Sequence, residues 1–397
     1  MPTLEKIKDA SKVLSEIIRP TSLIYSPKIA PDCHLYLKPE NLQVTGSFKV
    51  RGAYYKISRL SEEEKAKGVI ACSAGNHAQG VALAATKRGI KSLICLPDGA
   101  PISKVEATKG YGADICLVKG VYDNAYQKAL ELKMQHGYTF IHPFDDDDVI
   151  AGQGTIGLEI LEELPDADAV IVPIGGGGLI AGVASAVKAI NPKCKVYGVQ
   201  AAGAPSMFNS IHSHAIETLP NVSTIADGIA VKTPGQHTFE ICEDCVDEIV
   251  TVTDDEISTA ILALIEEQKL IAEGAGAVSV AAAMFGKVPV KGKKVVCVVS
   301  GGNIDVTILS RVINRGLLNT GRSADITIEL TDKPGQLSEV SKIIAEKGGN
   351  VVSIYHDRGD LDVEITGCYL RIVLETKDFA HIREIKDALL MAGFKLV

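Results

Sequence analysis

At 397 residues the chain is long enough for two or three domains, each with its own buried core. Apolar residues make up 46% and charged residues 23%, and the formal charge of −8 comes without any run of basic residues. This balance excludes nucleic acid and anionic membrane as main partners and fits a cytoplasmic globular protein. The opening "MPTLEKIKDASKVL" reads as a charged amphipathic helix with no apolar signal core. The nine cysteines are odd in number and lie mostly in apolar runs, so they read as buried reduced thiols. Cys242 and Cys245 form a lone C-x-x-C with no second pair to complete a zinc site.

The stretch "TGSFKVRGA" (45–53) breaks a local rule. Ser47 reads as a helix N-cap, which puts Lys49 and Arg51 in the first turn, where the helix dipole disfavours cations. A rule broken without compensation marks a functional site. Dipole and like charge together are expected to depress the Lys49 pKa, leaving more of the neutral amine that condenses with an aldehyde.

Three segments share one pattern: "GVIACSAGNHAQGVALAATKR" from Gly68, "AVIVPIGGGGLIAGVASAVKAI" from Ala169 and "KVVCVVSGGNIDVTILSRVI" from Lys294. Each is a β-branched apolar run, a glycine-rich turn and a helical segment, as in an α/β architecture with buried parallel strands. Ligands in such sheets sit beyond the carboxyl ends of the strands, so the three turns are expected to face one ligand. The uncharged stretch Ala169 to Val187 is no membrane span, because Pro173 and four consecutive glycines would wreck a helix in lipid. Gly175 to Gly178 can converge bare N–H groups on a phosphate, and four glycines exceed what packing requires. A dinucleotide fingerprint is the rival reading, but Gln200 stands near the place of the acidic ribose ligand. Ser73, Asn76 and His77 suit either a carboxylate site or a helix cap. Ser300 could make one hydrogen bond to a ring. A phosphate nest, a reactive lysine and ring-facing groups together point to pyridoxal phosphate.

The character changes after about residue 315. "RGLLNTGRSA" reads as a linker, covering 316–324, and a β-α-β-β-α-β order follows over 325–397, the ferredoxin-like pattern. Ile326, Ile328 and Leu330 mark a half-buried strand. Leu337, Val340, Ile343 and Ile344 share one helix face. "NVVSIYHD" and "VEITGCYLRIVLET" read as strands, "DFAHIREIKDALLMA" as the second helix.

The motifs "TGSFKVRGA", "SAGNHAQGVA", "GGGGLIAG", "IADGIAVK", "AEGAGA" and "VVSGGN", in this order, closely resemble those of fold-type II pyridoxal-phosphate enzymes, specifically threonine dehydratases. The C-terminal "TDKPGQL" region resembles an ACT domain. The resemblance implies a catalytic part over 1–315, with a small parallel-sheet subdomain at 46–149 inserted in a larger one, and an ACT regulatory domain.

It also implies roles. Lys49 would bind the cofactor and act as the base at Cα; Phe48 and Gly228 would flank the ring; Asn76 would bond the ring hydroxyl. Gly175, Gly176, Gly177, Gly178 and Leu179 would hold the phosphate, and Ser300 would face the pyridine nitrogen. Ser73, Ala74, Gly75, Asn76 and His77 would hold the substrate carboxylate, with Gln153 and Glu273 lining the pocket. The implied reaction is deamination of L-threonine to 2-oxobutanoate, with L-serine giving pyruvate. A serine-preferring dehydratase and a non-catalytic ACT sensor are the alternatives.

Related racemases carry a second serine where this chain has Ala74, so racemisation is expected to be weak. No metal is expected: "GVQAAGAPSM" offers Gln200 and no carboxylate before Glu217, and the aspartates 145–148 read as a helix start. ACT domains pair, so a homo-oligomer, a tetramer, is expected. Its amino-acid or nucleotide effector would lie at Asp332, Gly335, Gln336, Leu337 and Asn350.

Overall fold

Apolar runs of four to seven residues supply most of the parallel strands of the first two sheets, as the sequence predicts. The structure is a computed structural model that describes residues 1–359 and 364–397. It divides into two compact units, Met1–Val306 and Thr307–Val397. In the first unit, strands β1 (Ile24–Tyr25), β2 (His34–Lys38), β3 (Val69–Cys72), β4 (Ser92–Pro97) and β5 (Asp114–Val118) come first. β6 (Thr139–Phe140), β7 (Ala169–Pro173), β8 (Lys195–Ala201), β9 (Glu248–Val252) and β10 (Lys294–Val298) follow. A six-stranded sheet has the order β1-β2-β10-β7-β8-β9, all parallel except the β1 edge. A second, fully parallel sheet, β5-β4-β3-β6, is inserted between β2 and β7. Among the described residues no helix is long and apolar enough to cross a membrane.

β3 and β7 are buried at every residue, which is why they read as unbroken apolar runs. The small residues of the following helices have a packing reason. A Cβ on Gly182 would lie 2.3 Å from the Ile150 carbonyl oxygen, so helices Gly178–Ile190 and Asp147–Glu163 meet backbone to backbone. The aspartates at 145–148 start a helix as expected. Asp146 caps it by accepting from the N–H groups of Asp148 and Val149, while Lys6 and Lys56 pair with the following carboxylates.

Two sequence expectations at the Lys49 helix (Lys49–Ser58) are corrected. Ser47 is not its cap: Phe48 holds that place, and the Ser47 hydroxyl is buried without a partner while its backbone bridges to Gly301. Arg51 does not bear on the lysine either. It is fully buried, with Nε and Nη2 donating to Glu40 at 2.7 and 2.8 Å and Nη1 to Glu159 at 2.5 Å. Lys38, 1% exposed, completes this network on Glu159. The helix tolerates a cation in its first turn because two carboxylates already neutralise it.

The second unit has strands β11 (Ser323–Thr331), β12 (Asn350–Asp357), β13 (Gly367–Glu375) and β14 (Lys395–Leu396), antiparallel in the order β12-β13-β11-β14. With helices Gln336–Glu346 and Phe379–Met391 this is the expected ferredoxin-like β-α-β-β-α-β order. Ala324, Ile326, Ile328 and Leu330 alternate into the core. Val340 and Ile344 are buried, but Leu337, in the first helical turn, is 42% exposed. The expected linker at 316–324 is corrected. A helix covers Val306–Asn319, with Val312 and Gly316 buried, and β11 already starts at Ser323. Val363, expected to open the third strand, lies outside the described residues.

Candidate active site

A cavity of about 990 Å³ opens at the carboxyl ends of β3, β7 and β10, where the three glycine-rich turns meet. It is lined by Phe48, Lys49, Ser73 to His77, Gly175 to Leu179, Gly228, Glu273 and Ser300. Gln153 is not among them. It is buried between helices, 2.6 Å from where a Cβ of Gly52 would lie, so it belongs to the packing of Lys49–Ser58 on Asp147–Glu163.

The Lys49 Nζ donates to the Pro143 carbonyl at 2.8 Å and lies 5.2 Å from the Phe48 ring. Part of its surface faces the cavity, yet protein surrounds the amine. Burial lowers its pKa to about 8, while the Glu273 charge opposes that shift. The depression expected from the sequence is there, but its cause is desolvation and not Arg51.

The turn Gly175–Gly178 leads from β7 into helix Gly178–Ile190. Gly177 has φ +100°, and a Cβ there would stand 2.7 Å from Met207 and Thr238. A Cβ on Gly176 would lie 2.4 Å from the Phe144 ring, and on Gly178 2.8 Å from the Phe144 backbone. Packing therefore accounts for these three glycines, contrary to the expectation that four exceed its needs. What suits the turn to a phosphate is its donors. The backbone N–H groups of Gly175 to Leu179 donate to no protein group among the described residues. Free N–H groups at a buried helix N-terminus fit a phosphate. The dinucleotide reading fails, since Gln200 is fully buried and accepts from the Phe208 N–H at 2.7 Å.

Asn76 is held from both sides: Asn303 Nδ2 donates to its carbonyl at 2.8 Å, and its own amide donates to Glu273 at 2.6 Å. Asn303 ends the "VVSGGN" motif, and no local sequence signal announces its bond to Asn76. Burial, and then the charge of Asp227, raise the Glu273 pKa to about 7, so this carboxyl exists in both protonation states near neutrality. Ser73 Oγ accepts from the Gly75 N–H at 3.1 Å, shaping the turn. His77 offers that turn only its backbone, since its ring is bonded to the Ile141 carbonyl at 2.8 Å. Burial, with Lys49 nearby, lowers the His77 pKa to about 3, so the ring is neutral. Ser300 is buried at the cavity wall, its hydroxyl donating to the Ala275 carbonyl at 3.3 Å. At the rim Lys104 pairs with Asp227 at 2.8 Å, a contact that no local sequence signal announces.

The expected effector residues do not gather within one chain. Asp332 follows β11, and Gly335 to Leu337 start the next helix. Asn350 opens β12 and pairs with Glu375, level with Ser323 at the far end of the sheet. The parallel run of β11 and β12 on either side of β13 separates the two groups by roughly 26 Å.

Two family models match the chain: "Pyridoxal-phosphate dependent enzyme" over residues 14–301 and "ACT domain" over 324–390. The chain is 50% identical to the L-threonine ammonia-lyase of Thermotoga maritima, over all of this chain and 99% of that protein. Among solved structures it is similar to the processed form of threonine deaminase isoform 2 from Solanum lycopersicum, with a TM-score of 0.76 and 41% identity, covering 80% of this chain and 91% of that one. Maize serine racemase gives a TM-score of 0.75 at 36% identity, covering 80% and 98%. A lysine amine and a turn of free N–H groups in one cavity suit the cofactor that the matched family model names, and the chain belongs to the pyridoxal-phosphate dependent enzymes of the threonine ammonia-lyase family, with an ACT domain at its C-terminal end.

Proposed function

We propose that the chain deaminates L-threonine to 2-oxobutanoate and ammonia, and L-serine to pyruvate. The observation that carries this reading is the Lys49 amine, lowered to about 8, in the same cavity as the five free N–H groups of Gly175 to Leu179. When bound, pyridoxal phosphate supplies an electron sink conjugated to the substrate's Cα. Gly175 to Leu179 would hold its phosphate, Phe48 and Gly228 would flank its ring, Asn76 would bond its hydroxyl and Ser300 would face its nitrogen. The neutral Ser300 hydroxyl, rotated from the Ala275 carbonyl to the ring, would donate its proton and so would not demand a protonated nitrogen.

The N–H groups of Ala74, Asn76 and His77, which donate to no protein group among the described residues, would bind the substrate carboxylate. Lys49 Nζ would take the Cα proton and pass one to the departing β-hydroxyl, which leaves as water. The enamine released is hydrolysed to the oxoacid and ammonia. Glu273 fixes Asn76 and, through its charge, sets how readily Lys49 holds a proton. Ala74 offers no hydroxyl to return a proton from the opposite face, which keeps the reaction on elimination.

We further propose a cytoplasmic homo-oligomer, a tetramer, in which paired ACT domains bind an amino-acid or nucleotide effector. The separation of Asp332 from Asn350 supports that pairing, because two copies can bring the two ends together. The test is an oxoacid assay of purified protein with L-threonine and L-serine, wild type against Lys49→Ala. Turnover lost in the variant supports the reading. A wild type with no absorbance from bound cofactor and no oxoacid overturns it in favour of an ACT sensor.

A further inference from the structure

One end of the second unit's sheet brings three metal-ligating side chains together from three stretches of chain. Asp332 follows β11, His356 is near the end of β12 and Cys368 near the start of β13. The strand register causes the meeting: Cys368 lies opposite Leu330, Asp357 opposite Tyr369, and the Asp332 N–H donates to the Thr366 carbonyl. One ligand atom from each residue lies within 4.8 Å of the others. His356 Nε2 stands 2.9 Å from Cys368 Sγ and 3.7 Å from Asp332 Oδ1.

Thiol and carboxylate thus face the same ring nitrogen. A nitrogen with one proton can satisfy only one neighbour, and a Cys–His–Asp relay needs the carboxylate at Nδ1 instead. A cation among the three atoms satisfies all of them. We propose that Asp332, His356 and Cys368 form a binding site for a divalent transition-metal ion of the zinc type, with water as the fourth ligand. Zinc bonds sulfur, nitrogen and oxygen at about 2.0–2.3 Å, which sets tetrahedral ligand atoms roughly 3.3–3.6 Å apart. The separations of 2.9 and 3.7 Å bracket that range, so shifts of a few tenths of an ångström at each atom seat the ion. A sulfur and an imidazole nitrogen select against magnesium and calcium, which take oxygen ligands.

Cys368 is 1% exposed, whereas the His356 and Asp332 side chains are each about one-third exposed, so the ion enters from the carboxylate side. Arg358 pairs with Asp332 through Nε at 2.9 Å and Nη2 at 3.2 Å. It competes with the ion for the carboxylate's charge. Because Asp332 also belongs to the proposed effector loop, ion and effector are linked through one shared residue.

The test uses full-length holoprotein, reduced and stripped with chelator, titrated with cobalt(II) and read as difference spectra. The expected result is a thiolate-to-cobalt band with visible tetrahedral bands, saturating at one equivalent and displaced by zinc. Cys368→Ser abolishes the thiolate band, and His356→Ala weakens binding at least about tenfold. Arg358→Met, which removes only the competing cation, tightens binding; this arm stands if the cysteine variant fails to fold. Equal cobalt spectra in wild type and Cys368→Ser, or no saturable band in wild type, overturn the site. The geometry is independent of the proposed reaction. Threonine deamination assayed on the same Cys368→Ser protein separates a failure here from a failure there.

Discussion

The amine of Lys49 should decide how the apoprotein takes up its cofactor. An ordinary lysine with a pKa of 10.5 is neutral in about one molecule in 3,000 at pH 7. At a pKa of about 8, Lys49 is neutral in roughly one in ten, some 300-fold more. Capture of pyridoxal phosphate requires that neutral form. Stopped-flow absorbance of apoprotein mixed with the cofactor should therefore show a rate rising about tenfold per pH unit below pH 8 and levelling above it. Glu273→Gln removes the charge that holds the amine up, so the levelling should move to lower pH. Lys49→Ala should show no capture of this kind. A wild-type rate still climbing tenfold per unit between pH 8.5 and 10 would mean an unperturbed lysine, and the desolvation argument would fall.

Arg51→Met leaves Glu40, itself fully buried, with Thr21 as its remaining hydrogen-bond donor, and should cost about 3–5 kcal/mol in urea unfolding; a loss under about 1 kcal/mol would contradict the network. Gly177→Ala puts a side chain at φ +100° and 2.7 Å from Thr238, so cofactor affinity should fall about five- to thirtyfold by fluorescence titration, from strain of about 1–2 kcal/mol. Unchanged affinity would remove the loop's conformation from the phosphate argument. Burial raises the Asp147 and Asp148 pKa values, but their bonds to Lys6 and, for Asp148, Lys56 help to bring both below the ordinary value. Their stability is present above the unfolded carboxylate range near 4 and lost as pH falls through the lower folded values, so Lys6→Met should flatten acid unfolding there. Ala74→Ser supplies a hydroxyl at the turn opposite the lysine, and chiral chromatography should then detect D-serine formed from L-serine; none would refute the two-face reading.

The sequence by itself determined the elements and the chemistry of the site. Apolar runs ending in glycine turns give β3, β7 and β10, because strands buried on both faces leave no polar alternation to confuse the reading. Lys49, the glycine turn and Ser73 to His77 were legible for the same reason, since each sits in a short motif whose spacing its own turn dictates. Tertiary structure decided what depends on neighbours remote in sequence. Arg51 meets Glu40 and Glu159, Asn76 is clamped by Asn303 and Glu273, and Gln153 turns into a helix interface. Gly176, Gly177 and Gly178 are required by Phe144, Met207 and Thr238, far away along the chain. Asp332, His356 and Cys368 meet only because antiparallel register sets them side by side. Motifs record local backbone geometry, whereas charge pairing, desolvation and ligand convergence arise only when the chain folds back on itself.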